Sequence, residues 1–260
     1  MELNYKELFD NELEKPLDRI VEDGGFTGIF RTIGVVGDSL SSGEFQAVHE
    51  DGKNSYHDLF EYSYGQYIAR ICGSTVYNFS RGGMTAKEYC ETFADHKGFW
   101  NPSYACQAYI IALGVNDIHG ENFEVGTLDD VDFENYKNNR KTITGYYAQI
   151  IQRLKQIQPR AEFFLMTIPN ETRSNEKTEA LRQNLYAFAE KFSNTFVLDL
   201  YKYGPEYNLE FKSKFFMGGH MNPMGYMFTA KMVVSYIDYI IRHNMSHFKE
   251  VGFIGTDLHG

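Results

Sequence analysis

The feature that most constrains this chain is an alternation of two hydrophobic periods, in which short β-rich apolar runs are separated by stretches with helical spacing. This is the pattern of βαβ units, because two parallel strands need a crossover between them and a crossover helix buries one face on the sheet. Five strands are predicted, at Thr32–Val36, Ser74–Phe79, Tyr109–Leu113, Glu162–Met166 and Thr195–Leu198. Between them, Ile143, Tyr147, Ile150, Ile151 and Leu154 make one helical stripe, and Leu181, Leu185, Phe188 and Phe192 make another. Pro159 and Pro169 bound these elements, and a last helix is predicted from Gly225 to Arg242. Two connections are long, Gly43–Ser63 and Gly114–Tyr136. Both follow the carboxyl ends of predicted strands, the edge at which open α/β sheets hold their ligands.

No internal repeat, low-complexity tract or Pro/Gly/Ser linker divides the 260 residues. One domain over 1–260 is expected, with a core over 30–243 and an extension at each end. The balance of 25 Lys+Arg against 35 Asp+Glu, a formal charge of -10, disfavours a phosphate-backbone partner. The densest basic stretch, Lys137–Lys141, follows the acidic run Asp129, Asp130, Asp132 and Glu134, and reads as a solvated face. Cys72, Cys90 and Cys106 are odd in number and lack CxxC spacing, so reduced thiols in an intracellular protein are the default. The start, MELNYKELFDNELEKPLDRI, is acidic and helical in character without the features of a secretory signal, and no apolar run is long enough to span a bilayer. A soluble, cytoplasmic protein is the expectation. The C-terminal stretch Ser246–Gly260, with its apolar run Val251–Gly255, is expected to cover the sheet edge or to meet a partner subunit in a homo-oligomer.

Four short stretches carry candidate chemistry. Gly37-Asp38-Ser39-Leu40 follows the buried run Ile33–Val36, so Ser39 sits on a tight turn with its hydroxyl and its own N–H facing the crevice. Asn78–Thr85 closes the second strand with paired glycines, Gly82 and Gly83, which let the backbone come close to a ligand, and Thr85 is placed to cap the next helix. Leu113-Gly114-Val115-Asn116-Asp117 closes the third strand; there the Asn116 amide can donate to an oxyanion and Asp117 can tie down backbone amides. Gly218-Gly219-His220 precedes the last helix, in a flexible Gly-rich loop from which an imidazole could swing toward a serine. Each stretch alone is compatible with plain turn chemistry. Their order along a parallel sheet aims all four at one crevice.

With these residues in hand, the chain resembles the SGNH (GDSL-like lipase/esterase) hydrolases: GDSLSSGE matches the nucleophile block, NFSRGGMT the glycine block, LGVND the GxND block, and HMNPMGY the tail of the block holding the histidine. The resemblance runs from Thr32 to Arg242. It implies a three-layer α/β/α sandwich with a flavodoxin-like five-stranded parallel sheet. It also implies Ser39 as nucleophile, His220 as general base, and an oxyanion hole from the Ser39 N–H, the Gly83 N–H and the Asn116 side chain, with Gly82 as the alternative glycine. Asp38 and Asp117 take supporting roles, and no metal or cofactor is called for.

One position departs from the family pattern. An Asp usually stands three residues before the histidine, and here that residue is Met217, which cannot accept a hydrogen bond of any strength from imidazole. A Ser39–His220 dyad is therefore expected, with Nδ1–H bonded to a main-chain carbonyl near Met217 or to an acid from another loop, such as Glu44. His49 and His57, near Asp51, Asp58 and Glu61, have no recognised metal spacing. The expected activity is hydrolysis of small acyl esters, acetyl esters of carbohydrates among them. The aromatic-rich loops Tyr56–Tyr67 and His96–Tyr104 are candidates for stacking on a sugar. The rivals are thioesterase or lysophospholipase activity, which a long apolar groove would favour, and a catalytically silent binding protein, which Met217 keeps open. A flavodoxin-like nucleotide binder fits the sheet but not the loops, since no GxGxxG or P-loop spacing follows the first strand.

Overall fold

The structure, a computed structural model, describes residues 13–251. Its strands are β1 (Thr32–Gly37), β2 (Glu44–Val48), β3 (Asn54–Asp58), β4 (Thr75–Asn78), β5 (Ala108–Ala112), β6 (Glu162–Met166), β7 (Thr195–Leu198) and the two-residue β8 (Phe216–Met217) and β9 (His220–Met221). Five of them form one sheet in the order β4-β1-β5-β6-β7, every neighbouring pair parallel. These are the five expected strands, shifted by a residue or so at some ends. The order reverses at β1, so the crevice beyond its carboxyl end is where adjacent connections leave in opposite directions.

Both faces of the sheet are covered, and the strands alternate between them with period two. Val36, Tyr109, Ile111, Phe163 and Leu165 pack in one buried cluster, and Ile33, Val35, Ala108, Ile110 and Phe164 in another on the opposite face. Helix α1 (Tyr64–Cys72) and the long last helix join the second cluster through Ile68, Val233 and Ile237. Helices α2 (Ile143–Ile157) and α3 (Glu176–Lys191) join the first through Tyr147, Ile150, Leu181 and Leu185. Helix α4 (Leu209–Phe215) and the start of α5 (Pro223–His243) form a third, aromatic cluster beside the functional edge, with Tyr207, Phe211 and Tyr226 buried. This is the three-layer α/β/α sandwich. Phe163 and Phe164, neighbours along β6, are both fully buried on opposite faces, and each Phe→Ala would cost about 3–5 kcal/mol.

The connection Gly43–Ser63 is not irregular as its polarity suggests. It contains an antiparallel hairpin in which Glu44 pairs with Asp58 and Val48 with Asn54. Its side chains are half-buried or exposed, so it lacks the apolar alternation that marks a strand packed on a core. The Asp51-Gly52 turn, with Gly52 at φ 80°, was the available signal. Residues 13–20 of the N-terminal stretch, expected to be helical, form turns, and 1–12 lie outside the described residues. Of the C-terminal stretch, Phe248 is buried against Phe30 and Phe196, while residues 252–255 of the apolar run lie outside the described residues. Among the described residues, no helix is long and apolar enough to cross a membrane.

Candidate active site

Ser39 opens a one-turn helix, Ser39–Ser42, directly beyond β1. Asp38 caps it: its side chain accepts from Leu40 N at 3.0 Å, and its carbonyl accepts from Ser41 N and Ser42 N at 3.0 and 2.9 Å. The cap leaves the Ser39 N–H at the positive end of the turn, and among the described residues no group accepts from it. Burial pushes the Asp38 carboxyl up to about 7, with Asp117 and Glu44 adding like-charge repulsion. Behind the turn, Ser41 Oγ meets the Tyr64 hydroxyl at 2.9 Å, and the Tyr226 hydroxyl donates to the carbonyls of Glu44 at 2.7 Å and Ser39 at 3.4 Å. Tyr226, in the first turn of α5, therefore holds the Ser39 turn and β2 in one frame.

His220 is on β9. The expected flexible loop is instead a tight β8–β9 hairpin in which Met217 pairs with His220 across Gly218-Gly219, with Gly218 at φ 62°. Gln46 on β2 braces that turn by accepting from Gly219 N at 2.6 Å, and a Cβ on Gly218 would collide with the same Gln46 amide. Met217 itself is solvent-exposed and takes no part in orienting the ring. The acid beside the ring is Glu44: its Oε2 lies 3.0 Å from His220 Nε2, with both side chains largely buried. The expected bond from Nδ1–H is not made: Nδ1 is buried without a hydrogen-bond partner, and β2 brings the Glu44 carboxylate to the Nε2 side instead. Burial holds the imidazole below its usual value, opposed by the Asp58 charge; burial also raises the Glu44 carboxyl, and Asp58 adds to that rise. Tyr56 packs its ring edge-on to His220, with centroids 5.6 Å apart.

Asp58 ties this corner together. It accepts from the Ser42 hydroxyl through one oxygen and from Gly82 N at 3.2 Å through the other. Gly82 also lies so close to Glu44 that a Cβ there would stand 2.5 Å from Oε1, a distance real Cβ contacts do not reach. The Gly82 amide is thus committed, whereas Gly83, at φ 70° and exposed, has an N–H with no acceptor among the described residues. Asn116 begins the π-helical turn Asn116–Gly120 and donates one amide hydrogen to Met84 O at 3.0 Å, which fixes the side chain between the glycine turn and the cavity. Asp117 is fully buried and accepts from Ala86 N at 3.0 and 3.1 Å, the amide-tying role expected of it, and burial lifts its carboxyl to about 6. Thr85 caps the helical turn that follows, accepting from Glu88 N at 3.1 Å.

Ser39, Asn116 and His220 line one cavity of about 260 Å³, together with Asp38. Gly83 does not line it, and no hydrogen bond joins Ser39 Oγ to His220 among the described residues. Met166, Ile168, Pro169 and Phe216 supply apolar wall, and Glu171, Arg173 and Lys212 supply charge. Glu171 is buried and receives Arg173 Nε at 2.6 Å and Lys212 Nζ at 3.1 Å. Among the described residues no three His, Cys, Asp or Glu side chains are arranged to hold a metal ion. His49 and His57 share the Ser55 hydroxyl at 3.0 and 2.9 Å on the exposed hairpin.

Glu171, Arg173 and Lys212 lie in no motif, and Asp58 stands out in the sequence only as an acid near His49 and His57; what these residues and Tyr226 do depends on which loops the fold brings together. A partial signal existed for Tyr226, which falls within HMNPMGY.

The model of the GDSL-like Lipase/Acylhydrolase family matches residues 35–228. None of the curated proteins matches the chain in sequence. Among solved structures, it is similar to a family two carbohydrate esterase from Clostridium thermocellum in complex with cellohexaose: TM-score 0.55, 15% identity, covering 90% of this chain and 66% of that one. It is also similar to a carbohydrate esterase family 2 enzyme with a carbohydrate binding domain from Corynascus thermopiles (Myceliophthora fergusii), with TM-score 0.52 and 18% identity, covering 82% of this chain and 66% of that one. A carbohydrate esterase family 3 structure from Talaromyces cellulolyticus gives TM-score 0.50 and 13% identity, covering 81% of this chain and 98% of that one. At these identities the likeness is one of fold.

Proposed function

Because the chain belongs to the GDSL-like lipase/acylhydrolase family and is an ester-hydrolysing enzyme, we propose that Ser39 is its nucleophile, His220 its general base and Glu44 the acid that orients and charges the base. The observation that carries this reading is the meeting of Ser39, Asn116 and His220 on one cavity, with a buried carboxylate on the imidazole. With Glu44 Oε2 3.0 Å from Nε2, the ring proton sits on Nε2 and faces the carboxylate, so the tautomer leaves a lone pair on Nδ1, the ring nitrogen without a partner. That lone pair receives the Ser39 hydroxyl proton as Oγ attacks the acyl carbon. The alkoxide leaving group then collects the proton, an acyl-Ser39 ester remains, and water repeats the sequence to release the acid. Charge developing on the carbonyl oxygen meets the Ser39 N–H and the second Asn116 amide hydrogen, both on the cavity wall; the Gly83 N–H, uncommitted but outside that wall in this structure, is a third donor only if substrate draws the glycine turn inward. Ser39 and His220 close to hydrogen-bond distance when substrate fills the cavity, as catalytic pairs do on leaving the free state.

A cavity of about 260 Å³ with charged groups in its wall suits a short acyl group on a polar alcohol rather than a fatty acyl chain. We place acetyl esters of carbohydrates within this proposal, in keeping with the carbohydrate esterases of like fold. The test is a panel of p-nitrophenyl esters from acetate to palmitate, with fluorophosphonate labelling, on wild type, Ser39→Ala and His220→Ala. Short esters should be preferred, and Ser39→Ala should lose both turnover and label. A labelled Ser39→Ala protein, or a His220→Ala protein at full activity, would remove the assignment and favour a binding role.

A further inference from the structure

We propose that the Glu171–Arg173–Lys212 side of the cavity is an anion subsite, so that the ester taken at Ser39 carries a carboxylate or equivalent single negative charge on its acyl or its alcohol portion. The proposal rests on the esterase reading of the same cavity and adds the class of substrate.

Three observations lead here. Glu171 is buried and joined to two cations, Arg173 at 2.6 Å and Lys212 at 3.1 Å. Neutralising a buried carboxylate takes one cation. The second leaves a net positive charge on this side of the cavity, beside Met166, Ile168, Pro169 and Phe216, while the other carboxyl on the wall, Asp38, is pushed up to about 7 by burial.

The cations are also only partly used. Arg173 spends Nε on Glu171 while its Nη groups have no acceptor among the described residues, and its side chain is 57% exposed. Lys212 makes one hydrogen bond, leaving two of its three donors. A planar guanidinium edge beside an ammonium matches a carboxylate, which takes paired N–H donors from the first and a point charge from the second.

The buried carboxylate between the two cations is also braced by the fold. Glu171 lies between β6 and α3 and bridges in parallel to Tyr207, whose N–H donates to Asn170 O at 2.7 Å; Lys212 reaches in from α4.

The test compares esters that differ by one charge. On the acyl side, monomethyl glutarate is set against dimethyl glutarate; on the alcohol side, O-acetylglycolate against its methyl ester. Wild type should prefer the anion of one pair by about 10- to 100-fold in kcat/KM, as expected for charged hydrogen bonds. That preference should shrink as salt screens the cations. In Arg173→Gln the ratio should fall toward unity. The triple variant Glu171→Gln/Arg173→Gln/Lys212→Gln, which leaves no buried charge unpaired, should do the same if the single change perturbs folding. Equal rates within both pairs in wild type, or a ratio that survives in both variants, would overturn the subsite while leaving the esterase intact. Calorimetric titration of Ser39→Ala protein with monomethyl and dimethyl glutarate, and with the acetylglycolate pair, separates the two readings. If wild type hydrolyses none of the four but Ser39→Ala binds one anion at least ten times more tightly than its neutral partner, the subsite stands and the esterase reading falls. If Ser39→Ala binds neither anion selectively, the subsite falls.

Discussion

Replacing Glu44 by Gln asks directly whether the carboxylate on His220 drives the reaction or merely fills space. In wild type, Oε2 stands 3.0 Å from Nε2 and both side chains are largely shielded from water. When Nδ1 takes the serine proton the ring becomes an imidazolium, and the carboxylate attracts it by about 5.5 kcal/mol at an effective dielectric constant of about 20. Part of this is retained in the variant, because the Asp58 charge also acts on the ring and a Gln carbonyl still accepts from Nε2–H. The transition state should therefore lose about 3–4 kcal/mol, a fall of about 10²–10³ in kcat at about 1.4 kcal/mol per tenfold. That is below the loss of about 10⁴ for the Asp→Asn change in a serine protease triad, where the tautomer is also lost. The assay is kcat and KM for p-nitrophenyl acetate beside the rate of fluorophosphonate labelling, with circular dichroism melts to confirm folding. Labelling should slow with kcat, since both need the activated serine, and KM should change little. A folded Glu44→Gln protein within threefold of wild-type kcat would refute the reasoning.

Further outcomes follow from the same geometry. Because burial holds His220 below the ordinary imidazole value of 6.5, kcat/KM should rise with pH along an acid limb centred below 6.5 and be flat above it; a limb above 6.5 would contradict the burial argument. Asp38 is raised from 3.8 to about 7, so between these values the native state keeps a proton that the unfolded chain has lost, and its contribution to stability falls as pH rises through that window by up to about 1.4 kcal/mol per pH unit. Asp38→Asn keeps a capping oxygen and should flatten that slope in denaturant melts between about pH 4.5 and 7.5, where the native and unfolded protonation of Asp38 differ most. Asn116→Ala should lower kcat by about 10²–10³ with little change in KM, the cost of one oxyanion donor, and a loss confined to KM would assign the amide to ground-state binding.

The architecture was legible in the chain because it rests on local periodicity. Strands β1, β5, β6 and β7 are largely buried on both faces and read as apolar runs, and the stripes of α2 and α3 repeat at helical spacing, so hydrophobic pattern locates the centre of the sheet and its cover. Ser39, Asn116 and His220 were legible for a related reason: each ends or follows an element whose direction the parallel sheet sets, so chain order predicts that they converge.

The partner of His220 was open to guess but not to derivation. Glu44 belongs to a hairpin with no buried face of its own, and its carboxylate reaches Nε2 rather than Nδ1 because β2 packs alongside the β8–β9 turn through Gln46. The commitment of Gly82 to Asp58, 24 residues away, and the pairing of Glu171 with Lys212, 41 residues away, are likewise invisible in one dimension. Periodicity is a property of neighbours along the chain, so the sequence alone determined layers, order and edge. Hydrogen bonds between loops depend on where separate turns end in space, and only the tertiary structure decided which nitrogen of His220 is left free and which charges face the cavity.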